Sequence, residues 1–190
     1  MESRDVKNIQ QARQIVEERG LSHVKVGVFD MDGVMRGKYM AKEKFFSALE
    51  TGFGFCDVVL GWDVKDRLYD NVVYTGWHTG YPDVSVRILP ESCRELPLEG
   101  DMLFFLGEFV DDAEAVCPRA LLRRVLQRAE DMGIRLFAGF EYEFFVFNET
   151  PHSVRAKQFQ NMDPMAPAEF GYSVIRNSVE SETYLGLLKL

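Results

Sequence analysis

The sequence has few of the residues that build disulfide-bonded or zinc-bound folds. Among its 190 residues are three cysteines and three histidines, and no two cysteines form a Cys-x-x-Cys pair. A disulfide framework or a zinc site needs such regular spacing, so we interpret the cysteines as buried or unreactive thiols. The histidines are dispersed without a carboxylate partner nearby, which favours surface or loop positions over catalysis. These six residues are Cys56, Cys93, Cys117, His23, His78 and His152.

The sequence also lacks an excess of positive charge and any long apolar run. Lysine and arginine total 22 against 30 acidic residues, so the net charge is −8. That balance argues against a general binder of nucleic acid or of anionic membranes. No apolar run has the length of a membrane span, and residues 1–5 lack the core of a signal peptide. We therefore expect a cytoplasmic protein with no nucleic-acid and no membrane partner.

Short β-favouring segments around one or two helices make up most of the first 110 residues. This pattern predicts an α+β fold rather than alternating βαβ units. An amphipathic helix is expected over residues 5–19, capped by Asp5 and stopped by Gly20. A shorter helix is expected over residues 42–50, ended by Gly52. The predicted strands are 24–28, 34–40, 57–60, 71–75, 84–88 and 101–109.

The pattern changes at Pro118, which suits the first turn of a third helix. An apolar stripe runs along that helix, and arginines lie opposite it, where a solvated surface is expected. The stripe comprises Leu121, Leu122, Val125, Leu126, Ala129 and Met132, and the arginines are Arg119, Arg123 and Arg124. Residues 148–170 are polar and predict a long loop. Residues 185–190 look like an apolar helix cut short, which suggests a fragment.

Two glutamates one residue apart, Glu141 and Glu143, stand in the aromatic run Gly-Phe-Glu-Tyr-Glu-Phe-Phe-Val-Phe at residues 139–147. The run predicts a strand. Side chains alternate along a strand, so both carboxylates would project from one side, roughly 6.5–7 Å apart, with an apolar set opposite. Carboxylates beside so much apolar surface need cations or tight hydrogen bonds. Divalent ions such as Mg²⁺ or Mn²⁺ would meet that need, and a solvated or arginine-paired glutamate face is the open alternative.

A second acidic motif is Asp-Met-Asp-Gly at residues 30–33, directly after an apolar strand. Haloacid-dehalogenase-type phosphatases present a nucleophilic aspartate and its acid/base partner in this way, which would assign those roles to Asp30 and Asp32. Thr75 would then be the phosphate-binding threonine. That chemistry belongs to a parallel sheet with crossover helices, and residues 57–110 offer no convincing helix. A hairpin turn is therefore the competing interpretation.

Five short motifs follow one another at fixed spacing between Val24 and Leu190. They are Val-Phe-Asp-Met-Asp-Gly-Val-Met-Arg-Gly-Lys (28–38), Gly-Trp-Asp (61–63), Cys-Pro-Arg-Ala-Leu-Leu (117–122), Gly-Phe-Glu-Tyr-Glu-Phe-Phe (139–145) and Gly-Tyr-Ser (171–173). Together they resemble the amino-terminal part of the glutamine synthetase family. The resemblance is closest to the branch with γ-glutamyl-polyamine synthetase-like members, and Glu-x-Glu-Phe-Phe is its most diagnostic motif.

The resemblance implies a fold and a reaction. It implies an amino-terminal helix over residues 1–20, a β-grasp-like domain over 21–112 and the truncated start of a catalytic domain over 113–190. Family members use ATP to phosphorylate the γ-carboxylate of glutamate, and ammonia or an amine then displaces the phosphate. In the family's Glu-x-Glu pair each glutamate binds one of two metal ions, Mg²⁺ or Mn²⁺. By that motif, Glu143 would bind the ion nearer glutamate and Glu141 the ion on the ATP side.

The same resemblance implies an ATP-dependent carboxylate–amine ligase that assembles as a homo-oligomer with active sites between subunits. Its partners would be glutamate, ATP and ammonia or a primary amine. The other catalytic residues are expected beyond Leu190, so the isolated chain is expected to be inactive. Family members that use ammonia bind it through an Asp-Gly-Ser-Ser element, and the residues around Asp57 lack both serines. We therefore assign Asp57 no such role, and the amine acceptor stays open.

Two other functions remain open at this point. One is the phosphatase that uses Asp30 and Asp32. The other is a non-catalytic interaction module that keeps a glutamine-synthetase-like fold without its chemistry.

Overall fold

The computed structural model describes residues 1–166 and 171–189. Its residues form two compact units, Met1–Leu136 and Phe137–Leu190. Among the helices in the described part of the chain, none is long and apolar enough to cross a membrane.

The sequence predicts three regions in this chain. They stay a prediction, because the two compact units are defined by contacts alone and do not correspond to those three regions. Those regions are residues 1–20, 21–112 and 113–190. Residues 167–170 of the predicted loop and Leu190 at the end of the predicted terminal helix lie outside the described residues.

The first unit combines a mixed five-stranded sheet with three helices, which confirms the predicted α+β class. The strands are β1 (His23–Phe29), β2 (Met35–Ala41), β3 (Phe53–Cys56), β4 (Asp83–Glu95) and β5 (Leu103–Phe109), and the helices are α1 (Ile9–Glu18), α2 (Lys42–Thr51) and α3 (Pro118–Asp131). The strand order is β2-β1-β5-β4-β3. Strand β1 is antiparallel to β2 and parallel to β5, whereas β4 is antiparallel to both of its neighbours.

The sheet curls until its two edge strands approach each other. The ammonium group of Lys38 in β2 lies 4.8 Å from the ring centroid of Phe55 in β3 and donates a 3.4 Å hydrogen bond to the Gly54 carbonyl. The core inside this curl includes Phe45 of α2 and Phe105 of β5, whose ring centroids are 4.7 Å apart. Alternate residues of β1 contribute to the same core, as the sequence pattern predicts; they are Val24, Val26 and Val28.

Local signals in the sequence explain how several elements begin and end. The predicted hairpin between β1 and β2 is confirmed, and Gly33 in its turn has a φ of 79°, which favours glycine. Helix α2 ends at Gly52, as predicted, with a φ of 72°. Helix α1 is capped by Asn8 rather than by Asp5, because the Asn8 side chain accepts the free N–H of Gln11 at 2.9 Å.

Two of the predicted strands are wrong. Residues Asp57–Leu60 form a short 3-10 helix, and residues 71–75 form turns and bends. The strand in this region is β3, immediately before Asp57. At Asp57, where the strand ends, the side chain is buried and accepts a hydrogen bond from the Thr75 hydroxyl. The strands predicted at 24–28, 34–40, 84–88 and 101–109 are confirmed within β1, β2, β4 and β5. Their ends differ by one or two residues, except that β4 continues seven residues past the predicted end.

The second unit contains short helices α4 (Pro151–Ala156), α5 (Val174–Val179) and α6 (Ser181–Leu187). The predicted loop over 148–170 therefore includes a helix. Glu149 organises this segment, since its carboxylate accepts hydrogen bonds from Lys157, from the Ser153 hydroxyl and from the backbone N–H of Asp163. These bonds, with Lys157 the largest contributor, lower the pKa of Glu149 to about 2.

Glu149→Gln is expected to weaken the hydrogen bonds that hold α4 and the turn at Asp163, and so to lower the stability of this segment at neutral pH. Because the pKa of Glu149 is lowered, the ionised carboxylate stabilises the fold above its ordinary pKa of 4.5, and this contribution is lost as the pH falls towards about 2. The Asp163 amide, which donates to Glu149 at 2.9 Å, should titrate in an NMR experiment with a midpoint near 2. Glu182→Gln removes an exposed carboxylate from α6 and serves as the control. A midpoint near 4.5 would contradict the assigned hydrogen bonds.

Candidate functional site

The two glutamates predicted to bind metal, Glu141 and Glu143, lie in the second unit, exposed to solvent. Residues 139–146 form no strand, so that prediction is wrong for this structure, and the aromatic residues among them are exposed as well. A strand exists only by hydrogen bonding to a neighbouring strand. Within the described part of the second unit, this run meets a single isolated bridge, between Phe147 and Pro164.

The chemistry of Glu141 and Glu143 suits a divalent ion, but their number is insufficient. Carboxylate oxygens are the donors that Mg²⁺ and Mn²⁺ prefer, and Mg²⁺ needs about six ligands. Within residues 1–166 and 171–189, no group of three or more His, Cys, Asp or Glu side chains is arranged to hold an ion. The two glutamates therefore form part of a metal site at most, and their assignment as ligands stays a prediction.

Asp30 is fully buried, and both of its carboxylate oxygens are engaged inside the protein. One oxygen accepts the backbone N–H groups of Asp32 and Val34 at 3.0 and 2.8 Å, and the other lies 2.7 Å from Nε of Arg36. The hydrogen bond to Asp30 raises the pKa of the Arg36 guanidinium. A buried carboxylate with these partners is not available as a nucleophile. The sheet is also mainly antiparallel, so the phosphatase interpretation has no support.

Arg36 and Asp32 connect the 30–33 turn to the loop that follows β3. Arg36 Nη1 lies 2.6 Å from Oδ1 of Asp66, and its guanidinium lies 4.9 Å from the ring centroid of Trp62. Asp32 accepts the backbone N–H of Val64 at 2.8 Å. The 28–38 and Gly-Trp-Asp motifs are thus neighbours in space. The sequence offered only an indirect signal for this contact, namely several aspartates close to Trp62.

Asp57 and Thr75 hold the other end of the same loop. Asp57 is 2% exposed, and its Oδ1 accepts the Thr75 hydroxyl at 2.7 Å. Burial raises the pKa of Asp57, and the hydrogen bond from Thr75 opposes that rise. Thr75 is itself buried. Thr75, which the phosphatase interpretation assigns to phosphate binding, therefore uses its hydroxyl in a buried hydrogen bond to Asp57.

A third buried carboxylate, Glu108 of β5, binds three arginines. Its oxygens lie 2.7 Å from Arg123 Nη1, 3.1 Å from Arg119 Nη2 and 3.3 Å from Arg87 Nη2. Arg119 and Arg123 belong to α3, so the arginine side of this helix faces the sheet. The predicted solvated surface holds only in part for these two residues, because their side chains are 35% and 42% exposed while they pair with Glu108. Most of the apolar stripe of α3 is exposed, contrary to its predicted burial.

Comparison with known proteins identifies the relatives of this chain. A family model described as "Glutamine synthetase, catalytic domain" matches residues 115–185, which include α3, Glu141 and Glu143. The chain is 39% identical over 170 residues to type-1 glutamine synthetase 2 of Dictyostelium discoideum, a match that covers 88% of the chain and 33% of the relative. It is 30% identical over 190 residues to the glutamate–isopropylamine ligase of a Pseudomonas species, covering 96% of the chain and 40% of that relative. This chain is related to the glutamine synthetase family. The resemblance in the sequence motifs is thereby confirmed.

The fold has a counterpart among solved glutamine synthetases. The chain matches a cryo-EM structure of Plasmodium falciparum glutamine synthetase with a TM-score of 0.50 and 14% identity, over 70% of this chain and 24% of that one. At this identity the likeness concerns the fold alone. The chain spans 33% and 40% of the lengths of the two relatives named above.

Asp30→Asn is expected to destabilise the protein by about 2–4 kcal/mol, because it removes the buried anionic partner of Arg36 and leaves this guanidinium with only the exposed carboxylate of Asp66. Asp32→Asn is the matched control. Asp32 is exposed and accepts one backbone hydrogen bond, so its loss should be about 1 kcal/mol or less. Urea denaturation of the two variants measures both changes. Equal losses would contradict the structural role of Asp30, and p-nitrophenyl phosphate hydrolysis that disappears in Asp30→Asn would restore the phosphatase interpretation.

Proposed function

We propose that this chain is the amino-terminal portion of an ATP-dependent ligase that joins the γ-carboxylate of glutamate to ammonia or a primary amine. The supporting observation is similarity along 88% and 96% of the chain to two relatives, one named as a glutamine synthetase and one as a glutamate–isopropylamine ligase. The test is a ligase assay of the natural protein, purified from the organism that produces it. Glutamate, ATP and Mg²⁺ are supplied with ammonium, isopropylamine or a polyamine, and γ-glutamyl amide is measured.

The reaction proceeds in two displacements. A γ-carboxylate oxygen of glutamate attacks the terminal phosphorus of ATP, which gives an acyl phosphate and ADP. The amine nitrogen then attacks the acyl carbon, phosphate leaves, and the nitrogen loses a proton as the amide forms. Both steps concentrate negative charge on phosphate oxygens, which bound divalent cations offset.

The contribution of this chain to that chemistry is the pair Glu141 and Glu143. We assign each glutamate to one divalent ion, Mg²⁺ or Mn²⁺, with Glu143 on the glutamate side and Glu141 on the ATP side. The donor type supports the assignment, because hard cations prefer carboxylate oxygens. The remaining ligands would come from outside the described residues.

The domain organisation that we propose has three parts. They are an amino-terminal helical segment over residues 1–20, which contains α1 (Ile9–Glu18), a β-grasp-like domain over 21–112 and the start of a catalytic domain over 113–190. Packing of α2 on a mixed sheet, with the first strand parallel to the last, supports the β-grasp interpretation. The family match that begins at residue 115 supports the last boundary.

A primary amine is favoured over free ammonia as the acceptor. Ammonium would need an accessible carboxylate, and Asp57, the nearest counterpart of the aspartate that binds ammonia in glutamine-forming relatives, is buried. Its carboxylate already accepts a hydrogen bond from Thr75. We further propose a cytoplasmic homo-oligomer with active sites between subunits, and sedimentation as a monomer would contradict the oligomer.

The 190-residue chain by itself is expected to form no amide from glutamate, ATP and either ammonium or isopropylamine. The physical reason is that its described residues hold no complete set of metal ligands. Phosphate release and amide formation are measured, with the Dictyostelium discoideum relative as the positive control. A robust rate from the chain alone would overturn this expectation.

Glu141→Gln and Glu143→Gln are each expected to weaken one Mn²⁺ site of the natural protein at least about tenfold, because each removes a charged ligand. Mn²⁺ titration followed by electron paramagnetic resonance gives the number and affinity of the sites. Glu182→Gln, which removes another exposed glutamate of the second unit, should leave both unchanged. If the double variant bound Mn²⁺ like the wild type, a non-catalytic interaction module would become the better interpretation.

A further inference from the structure

Three arginines converge on one buried carboxylate in the first unit. Arg119 donates from Nε and Nη2 to Oε1 of Glu108 at 3.2 and 3.1 Å. Arg123 Nη1 and Arg87 Nη2 donate to the other oxygen, Oε2, at 2.7 and 3.3 Å. An ionised carboxylate offers about four acceptor positions, two on each oxygen. These contacts therefore saturate Glu108.

The guanidinium groups keep N–H donors that Glu108 cannot satisfy. A guanidinium has five N–H donors in a planar fork. Among the described residues, Arg87 donates one hydrogen bond and Arg119 donates two. Arg123 donates one to Glu108 and one to Glu114. The side chains are also accessible to a ligand, because Arg87 is 58% exposed and the other two are 35% and 42% exposed.

The same region carries more positive charge than its carboxylates neutralise. A fourth arginine, Arg124, donates to the backbone carbonyl of Glu114 at 3.0 Å rather than to a carboxylate. Four guanidinium groups thus accompany two carboxylates, Glu108 and Glu114, which leaves an excess of two positive charges. In the described part of the chain, the nearby Asp111 and Asp112 form no ion pair with these arginines. The arginine cluster comprises Arg87, Arg119, Arg123 and Arg124.

The beginning of α3 adds to this positive potential. The helix starts at Pro118, and its N-cap residue Cys117 supplies no side-chain hydrogen bond. Backbone N–H groups in the first turn of a helix carry partial positive charge and attract anions. Arg119 is the second residue of the helix, so the cluster and the helix start act on the same region.

We propose that the arginine cluster is a binding site for a phosphate dianion, either inorganic phosphate or a phosphate monoester. An excess of two positive charges matches a dianion, and planar guanidinium forks match the geometry of phosphate oxygens. The site is unusual in a chain whose net charge is −8. This inference goes beyond the proposed ligase reaction, and it uses neither Glu141 nor Glu143.

Titration calorimetry of the 190-residue chain with inorganic phosphate tests the site. A metal chelator in the buffer prevents phosphate from binding through a divalent ion. Arg87→Gln removes an exposed guanidinium whose contact with Glu108 is long, at 3.3 Å, so the fold is expected to persist. Arg94→Gln is the matched control, because Arg94 is an exposed arginine of the same strand that contacts backbone carbonyls instead. Circular dichroism and urea denaturation show whether each variant is folded.

The wild type and Arg94→Gln are expected to bind phosphate equally. Arg87→Gln and Arg124→Gln should each bind it at least about tenfold more weakly, because each removes charge-assisted donors. Binding of glycerol phosphate as well would assign the site to the phosphate group of a larger molecule, and binding of inorganic phosphate alone would assign it to the free ion. Acetate, a monovalent anion, should compete far more weakly than phosphate.

Three results would overturn the proposal. They are no phosphate binding by the wild type, equal phosphate affinity of Arg87→Gln and the wild type, and competition by acetate as strong as that by phosphate. A cluster with a structural role alone would give the second result, with a loss of stability in Arg87→Gln. Glu141→Gln should leave phosphate affinity unchanged, so this test and the metal titration fail independently.

Discussion

The buried carboxylate of Glu108 determines which side of α3 faces the sheet. Removing its cationic partners from a desolvated carboxylate costs about 3–5 kcal/mol. Two of its three arginines come from α3, so the helix must present its charged side inward. Burying the apolar stripe against the same sheet would recover hydrophobic free energy but break both ion pairs. The two demands conflict within this unit, and the orientation of α3 satisfies the ion pairs.

The three buried carboxylates of the first unit, Asp30, Asp57 and Glu108, are used to build it. Asp30 is neutralised by Arg36 and two backbone N–H groups, Asp57 is held by one hydroxyl, and Glu108 by guanidinium groups. Asp57 and Glu108 bind partners at least 11 residues away in sequence, whereas Asp30 binds partners within six residues and so holds the turn between β1 and β2. An aspartate after an apolar strand therefore has two very different uses, and burial distinguishes them. Glu141 and Glu143 of the second unit are, by contrast, exposed to solvent.

Much of the first unit could be predicted from the sequence because its signals are local. Alternation along β1, the turn at Gly33 and the stop at Gly52 each lie within a few residues of the feature that they specify. The errors arose where a distant partner decides the outcome. Thr75 draws Asp57 out of the strand pattern, and Glu108 reverses the expected orientation of α3. The arginines of α3 were a usable signal, because a buried carboxylate such as Glu108 in β5 needs cationic partners.

The same distinction explains why α3 forms while the Glu-x-Glu run stays irregular. A helix satisfies its backbone hydrogen bonds internally, so α3 is regular even with its apolar side in water. A strand receives all of its hydrogen bonds from neighbours, and residues 139–146 meet no strand among the described residues of their unit. Their alternating aromatic pattern is nevertheless that of a strand buried on one side. Pairing with a neighbouring strand would therefore bring Glu141 and Glu143 onto one face, because side chains alternate along a strand.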